Sequence, residues 1–539
     1  MRLIAAIRAR LRLVARAEDG YVMVATVGAV TVLTTLSVVT LAASTGDLTL
    51  TRKDLDRKRA FAAAQAGIAE YSFHLNHDNS YWADCTDVPE PSAINQKGST
   101  EKRRTLSGGA GGEFAIELLP ATGYEECDPD DPVDTMLEQS GPASGTFRIR
   151  ATGFAGKGKV SLVAAYKRSS LLDFIYFTQY ETLDPVTYGD KDTIKHANTQ
   201  CAKFRREGRE SVNLDDYGKP CTRIVFVSGD KIDGPLHSND DLAICGTPQF
   251  GRSPSDVIEV SAPPEGWFDG KCSGYGTAAP KFLGPFVTTA PVLTPPATNG
   301  KLKTIAGASY TFSCQTTIKL DGNWLYLTTR TLSNHKMAYP PSGVLYVANG
   351  SCPDNGTQKW SSCSSAYSPF TATYPSGSDC GTVRVYGDYS SSLTIAAEND
   401  VIVMDDIERE GEAMLGLIAN NFVRIWHPYP NQEGPGDCGS SSGSDANEDL
   451  RIDAAILTID HSFIVDHYDC GEELGELEVN GAISQKFRGT VGTTGGTGYL
   501  KDYNYDDRLR YMEPPSFLDP VQPSWHIQRE TLDFPDVFG

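Results

Sequence analysis

The hydrophobic pattern of the chain begins with an unbroken apolar run, Tyr21 to Ala43 (YVMVATVGAVTVLTTLSVVTLAA), which contains no Asp, Glu, Lys, Arg or His. At about 1.5 Å per helical residue the run reaches across a hydrocarbon core of roughly 30 Å. Beyond it the pattern becomes one-sided. Leu55, Phe61, Ala64, Ile68, Tyr71 and Leu75 recur at helical spacing, with Arg57, Lys58, Gln65 and Glu70 between them. That spacing fits one apolar face of an amphipathic helix. No Pro occurs between Tyr21 and Asn76, and Gly28, Gly46 and Gly67 lower helix propensity without breaking a helix. The pattern predicts one helix of about 56 residues, roughly 84 Å long, apolar all round in its first half and on one side in its second.

After this helix the period changes from helical to alternating. Three strands are predicted, Phe114–Leu119, Thr146–Ala151 and Lys159–Lys167, the last two joined by a glycine-rich turn. Leaning on the amphipathic face, a small antiparallel sheet would bury both apolar sides. From Ser170 onward short apolar runs alternate with Gly, Asn, Asp and Ser, among them RIVFVS (Arg223 to Ser228), GVLYV (Gly343 to Val347) and TVRVY (Thr382 to Tyr386). Many short strands between turn residues predict a large all-β module. A sandwich fits this texture. A β-solenoid fits better, because the phrase strand, small polar residue, strand recurs in LTIAAENDVIVMDDI, LGLIANNFVRIW, AAILTIDHSFIV and LEVNGAISQKF. Asn399, Asn420 and Asn480 stand where a turn side chain would bond its neighbour's backbone, and His237 and Asn239 suit a similar polar turn.

The expected class is therefore α+β overall, divided into five segments. These are an Arg-rich leader (1–20), a transmembrane segment (21–43), a helix with its three-stranded sheet (44–169), a β-rich module (170–520) and a C-terminal tail (521–539).

Charge and cysteines add topology. Arg2, Arg8, Arg10, Arg12 and Arg16 precede the apolar run, which places the N-terminus in the cytoplasm and the bulk outside. The net charge of -21 argues against wholesale phosphate binding. All 12 cysteines follow the apolar run, and none is spaced C-x-x-C. An even set in an oxidising compartment points to disulfides rather than a zinc ribbon or thioredoxin-like site. Sequence neighbours suggest Cys85 with Cys127, Cys201 with Cys221, Cys245 with Cys272, Cys363 with Cys380, and Cys438 with Cys470, although proximity alone does not prove connectivity.

The charged leader ending in Gly20, followed by the apolar helix and its continuation RKRAFAAAQAGIAEY (Arg57 to Tyr71), resembles the N-terminus of type IV pilins and is closest to PilX-type minor pilins. The resemblance implies cleavage after Gly20 by a membrane-embedded peptidase, with Tyr21 as the new N-terminus. The apolar helix would then pack in a filament core. Most pilins carry Glu at the fifth mature position, where this chain has Ala25. Phrases such as SGDKIDGPLHSNDDLAICGTPQF, PPSGVLYVANG and YDDRLRYMEPPSFLDP resemble large PilX-like proteins, in which a pilin-like stem carries a solenoid-like module. This resemblance implies pilus or surface association and no established catalytic activity.

Few residues suggest chemistry of their own. Asp445, Asn447, Asp449 and Asp453 are spaced like oxygen ligands for Ca²⁺ but lack the Gly and terminal Glu of an EF-hand loop, and a solvated acidic loop is the simpler reading. Asp460, His461 and Ser462 are the residue types of a hydrolase, but neighbours in a strand point to opposite faces. The motifs H-E-x-x-H and G-x-x-x-x-G-K-[ST] do not occur. The basic run Lys203 to Arg209 suits either an exposed charged loop or a contact to DNA, with the acidic whole favouring the loop.

The expected protein is a non-enzymatic cell-surface protein without cofactor, a PilX-like minor pilin or pilus-associated adhesin. Its partners would be the membrane, other pilin subunits or the assembly machinery, and an extracellular surface or polymer, with DNA less favoured. Two alternatives stay open: a membrane-anchored envelope protein outside any filament, and an extracellular carbohydrate-active enzyme.

Overall fold

The computed structural model describes residues 21–78, 81–83, 96–97, 103–106, 112–128, 130–138, 146–168, 170–188, 191–209, 221–350, 380–428, 438, 448–493, 495–510, 512–521 and 525–533. The fold is mixed α/β and divides into two compact units. The first comprises 1–137, 146–167 and 527–539, and the second comprises 138–145 and 168–526.

The first unit is built on helix α1, Tyr21–His77, which is 57 residues long. Among the described residues no helix is long and apolar enough to cross a membrane. Within the apolar run the described side chains are Met23 and residues 25–38, all exposed. The second half of α1 buries Ala60, Ala63, Ala64, Ile68, Tyr71 and Leu75. This face is smaller than the sequence predicts, since Leu55 is exposed and Phe61 is only half-buried. The small residues bring backbone against backbone. A Cβ on Gly153 would lie 1.9 Å from the Ala60 carbonyl oxygen, and one on Gly67 would lie 2.8 Å from the Phe114 ring. Gly67, poor for helix propensity, is therefore used for close packing.

The strands against α1 are β1 (Glu113–Leu119), β2 (Thr146–Ala155) and β3 (Gly158–Arg168), as the alternation predicts. They pair antiparallel, Ile116 opposite Ala151 and Ile149 opposite Ala164. Aromatic rings fill the space between sheet and helix. Phe147 stacks on Tyr166 with centroids 5.2 Å apart, Tyr71 lies 5.7 Å from Tyr166, and the Tyr166 hydroxyl sits 2.8 Å from Ser72 Oγ. The sheet is wider than three strands. Gln96–Lys97 and Arg104–Thr105 add to β1, and Trp525–Asp533 lies beside β3. Residues 521–539, expected to trail as a tail, thus contain a strand of the first unit. Arg150 ties that strand in, reaching Glu117 at 2.8 Å and Asp533 at 2.5 Å. In chain order the second unit is an insertion between β3 and the last strand.

The second unit is mostly β; among the described residues 22 strands join in one network, and Leu242–Ile244 pairs with Trp267–Asp269 apart from it. One parallel ladder runs through Phe286–Val287, Ile258–Val260, Leu236–Ser238, Tyr176–Leu183, Glu473–Arg488, Leu450–Thr458, Leu415–Ala419, Leu393–Ala397 and Val344–Ala348. Phe286, Ile258, Leu236, Tyr176, Ile483, Ile456, Leu417, Ile395 and Leu345 stand in register along it and face the core. A second ladder aligns Phe282, Phe250, Ile232, Tyr503, Val479, Ile452 and Ile407 in the same way. Parallel strands buried on the inner face read as near-continuous apolar runs, which is the texture of LGLIA and LTIAA. The run Arg223 to Ser228 is not a strand. Phe226 makes an isolated bridge to Ile244, and Asp230 takes the Val227 N–H at 3.0 Å to form a turn.

The ladder order shows that the unit closes on itself in its middle. The first strand of the unit, Tyr176–Leu183, pairs with one of the last, Glu473–Arg488. The chain grows outward from this seam through Leu236–Ser238 to Phe286–Val287, crosses to the opposite side and returns to the seam from there. The Pro-rich segment Thr288 to Gly300 makes the crossing, pinned by two buried asparagines. Asn239 exchanges hydrogen bonds with the Leu293 backbone at 2.6 and 2.9 Å. Asn299 donates to the Ala397 carbonyl at 2.7 Å and accepts from the Tyr346 hydroxyl at 3.0 Å. Six extended residues from Leu293 to Asn299 reach about 20 Å. The four inter-strand steps from Leu236–Ser238 to Leu415–Ala419, whose Ile418 carbonyl Asn299 also meets at 3.4 Å, span about 19 Å.

Candidate functional site: a polar row on the outer face of the second ladder

The outward positions of the second ladder are not apolar. Next to the buried row, and one residue on, stand Asp321, Asp388, Glu408, Asp453, Asn480, Asn504 and Asp233, brought side by side by the strand register. At about 4.8 Å per strand they form a stripe of carboxylates and amides roughly 29 Å long. Such groups accept and donate hydrogen bonds to hydroxyls, amides and cations.

A shallow notch lies along this stripe, lined by Tyr389, Arg409, Asp453, Asn480, Asp506 and Arg508 among others. Its guanidiniums are held by carboxylates. Arg508 Nε is 3.0 Å from Asp506 Oδ1, Arg508 Nη1 is 3.0 Å from Glu412, and Arg409 Nη1 is 2.8 Å from Asp506 Oδ2. Burial pushes the Asp506 carboxyl up, but Arg508 and Arg409 outweigh it and hold it below the usual carboxylate range. The Tyr389 hydroxyl donates to the Asp453 carbonyl at 2.7 Å, and burial raises its pKa. Further along the row, burial and the nearby Asp502 raise the Asp233 pKa against the pull of Gln249.

The sequence-predicted site residues scatter over the second unit. Asp453 and Asn480, singled out for different reasons, are brought together in the notch, where Asn480 Nδ2 donates to Asp453 Oδ1 at 2.9 Å. Asp449 accepts the Glu476 N–H at 2.8 Å, while Asp445 and Asn447 lie outside the described residues. Among the described residues no group of three His, Cys, Asp or Glu is placed to hold a metal ion. Asn399 accepts from Asn421 at 2.5 Å and donates to Thr382, and Asn420 accepts the Asn299 N–H at 2.9 Å. His237 is fully buried, 2.7 Å from Glu259 and 3.0 Å from the Asn239 amide oxygen. Gly20 lies outside the described residues, and Tyr21 is the first residue of α1.

Cys201–Cys221, Cys245–Cys272 and Cys438–Cys470 are disulfide-bonded. Cys127 and Cys380 are bonded as well, as is Cys314, but Cys85 and Cys363 lie outside the described residues.

Two other chemistry-bearing clusters proved to be structural. His461 Nδ1 and Ser462 Oγ both bond Asp184, at 3.1 and 2.9 Å. The serine donates to the carboxylate rather than to the imidazole, so the three are not ordered as nucleophile, base and orienting acid. A G-x-S-x-G spacing does occur, Gly439 to Gly443, in a Ser-rich stretch of sequence outside the described residues. The basic run Lys203 to Arg209 is only partly solvated, with Arg206 to Gly208 exposed, and its arginines are held by protein partners. Arg209 is buried against Asp240, Arg206 donates to the Asn239 and Ser261 carbonyls at 3.0 and 2.6 Å, and the Arg205 N–H donates to Asp240 at 2.8 Å.

No family model matches the chain, and no curated protein matches it. Among solved structures, the crystal structure of the competence-associated pilin ComZ from Thermus thermophilus aligns over 89% of this chain and 98% of its own, at 12% identity and a TM-score of 0.28. That score is too low to argue a shared fold.

Proposed function

We propose that this is a pilus-related surface protein, a minor pilin or pilus-associated adhesin whose β-solenoid module is displayed outside the cell. The observation that carries the reading is the division of labour along α1. Its first half leaves Met23, Val27, Val30, Val32, Leu33, Leu36 and Val38 exposed, while its second half docks on an antiparallel sheet through Ala60, Ala63 and Ala64. An apolar rod whose described side chains are exposed is suited to lipid or to other rods around it. The arginines ahead of the run orient it with the bulk outside. The disulfides fit an oxidising compartment. Strands in register at short separations, such as Leu393 on Leu415 and Leu236 on Ile258, support a solenoid.

A second reading, an anchor that stays in the membrane, is favoured by one residue. Ala25 stands where a pilin carries the carboxylate that pairs with a neighbouring amino terminus. Mass spectrometry of the mature N-terminus separates the two. A chain beginning at Tyr21, with or without N-methylation, supports the pilin, and an uncut leader leaves only the anchor.

A further inference from the structure

At one end of the polar row two antiparallel strands, Trp324–Thr328 and His335–Met337, extend the sheet beyond the parallel ladder. The inner face of this extension is closed by Ile318, Leu320, Leu325 and Leu327, all buried. Its outer face is aromatic and charged. Trp324 is 44% exposed although the core beneath it is complete without it. The Lys336 ammonium lies 4.1 Å from the centre of the Trp324 ring, and Lys319 and Lys336 each lie 5.9 Å from the centre of Tyr326. The register sets Lys336, Tyr326, Lys319 and Tyr386 in one row, and Trp324, Asp321 and Asp388 in the next.

We propose that this face is a binding platform for a neutral polysaccharide. The C–H faces of its sugar rings would lie on Trp324 and Tyr326, and its hydroxyls would bond Asp321, Asp388 and the two lysines. Aromatic faces suit any flat or ring-shaped ligand, so the charges decide its class. Carboxylates and ammoniums alternate within bonding distance, with Lys319 3.6 Å from Asp321. A hydroxyl bonds either sign, donating to the carboxylate and accepting from the ammonium. A polyanion would instead meet Asp321, Asp388 and Glu408 on a chain of net charge -21. Asp321, Asp388 and Glu408 stay exposed on three adjacent strands at about 4.8 Å per strand before buried Asp453 interrupts the row, so a short extended oligomer gains contacts that a single sugar does not.

The proposal deepens the surface-display reading but is tested independently of it. Full-length protein in detergent micelles is titrated with neutral gluco- and manno-oligosaccharides, with polygalacturonate and with single-stranded oligothymidylate. A neutral oligosaccharide should bind, and its affinity should hold when salt rises from about 50 to about 500 mM. Trp324→Ala should weaken it about tenfold while Trp324→Phe stays near wild type, with unchanged thermal unfolding in both. Leu500→Ala, an exposed apolar change outside the platform, should leave it unaltered. The proposal is overturned if no neutral oligosaccharide binds, if Trp324→Ala binds as well as wild type, or if only the polyanions bind and lose affinity with salt. An uncut leader with glycan binding intact would remove the pilin reading and leave the platform standing.

Discussion

The hydroxyl of Tyr505 donates to the carbonyl of Leu172 at 2.9 Å, across 333 residues of chain. The bond joins the start of the second unit to the end of its Thr497–Tyr505 strand, so these two sequence-distant segments are fixed to each other within the unit.

Tyr505→Phe keeps the ring and removes the bond, leaving a buried carbonyl without its donor. The expected loss is about 1–2 kcal/mol of module stability, measured by denaturant unfolding followed through module tryptophans. No change would mean that the two segments are held by the seam ladder alone.

The seam itself contains a buried ion pair. Arg488 Nη1 lies 3.0 Å from Glu181 Oε2 and donates to the Ile224 carbonyl, Nη2 donates to the Val225 carbonyl, and the guanidinium covers the Phe226 ring at 3.5 Å. Arg488→Met leaves Glu181 buried without its cation, and should cost about 3–5 kcal/mol. Adding Glu181→Gln should recover part of that loss. A double variant as unstable as the single would show that packing, not charge, holds the seam.

Gly153 is the tightest contact of helix on sheet in the first unit. Gly153→Ala pushes a methyl into the Ala60 carbonyl and should lower stability by about 1–3 kcal/mol or displace the helix. Limited proteolysis should then cut the second half of α1 sooner than in wild type. Equal cleavage rates would place the helix off this sheet.

His461 lies face to face with Phe422, centroids 4.6 Å apart, and bonds Asp184. Burial pulls its pKa down, but the Asp184 carboxylate outweighs burial and raises it above the ordinary value. A raised folded pKa contributes stability that is complete below the unfolded value of about 6.5 and is lost as pH climbs through the folded one. NMR titration of the His461 ring should show the raised value in wild type and a lower midpoint in Asp184→Asn, where only Asp460 and Asp400 still oppose burial. An unchanged midpoint in the variant would remove Asp184 as the cause.

Much of the first unit was legible in the sequence because its signals are local. The helix declares itself through an apolar run and a 3.6-residue period, and the strands through alternation. The last strand was missed because it pairs with β3 across hundreds of residues, although Trp525 and Ile527 alternate with His526 and Gln528. In the second unit strand content was legible and strand order was not. Nothing local tells Tyr176–Leu183 that its neighbour is Glu473–Arg488. The basic run Lys203 to Arg209 misled because the partners of its arginines, Asp240 and Asp241, lie about thirty residues on. The aromatic platform left one usable signal, the Asp321-Gly322 pair between two alternating runs, a common hairpin cue.

The most direct test is topological. Reporter fusions after Gly539, combined with thiol labelling of the unreduced chain in intact cells, should place the C-terminus outside the cytoplasm and find Cys201, Cys221, Cys245, Cys272, Cys438 and Cys470 unreactive until reduced. A cytosolic C-terminus with these thiols freely labelled would contradict the whole account.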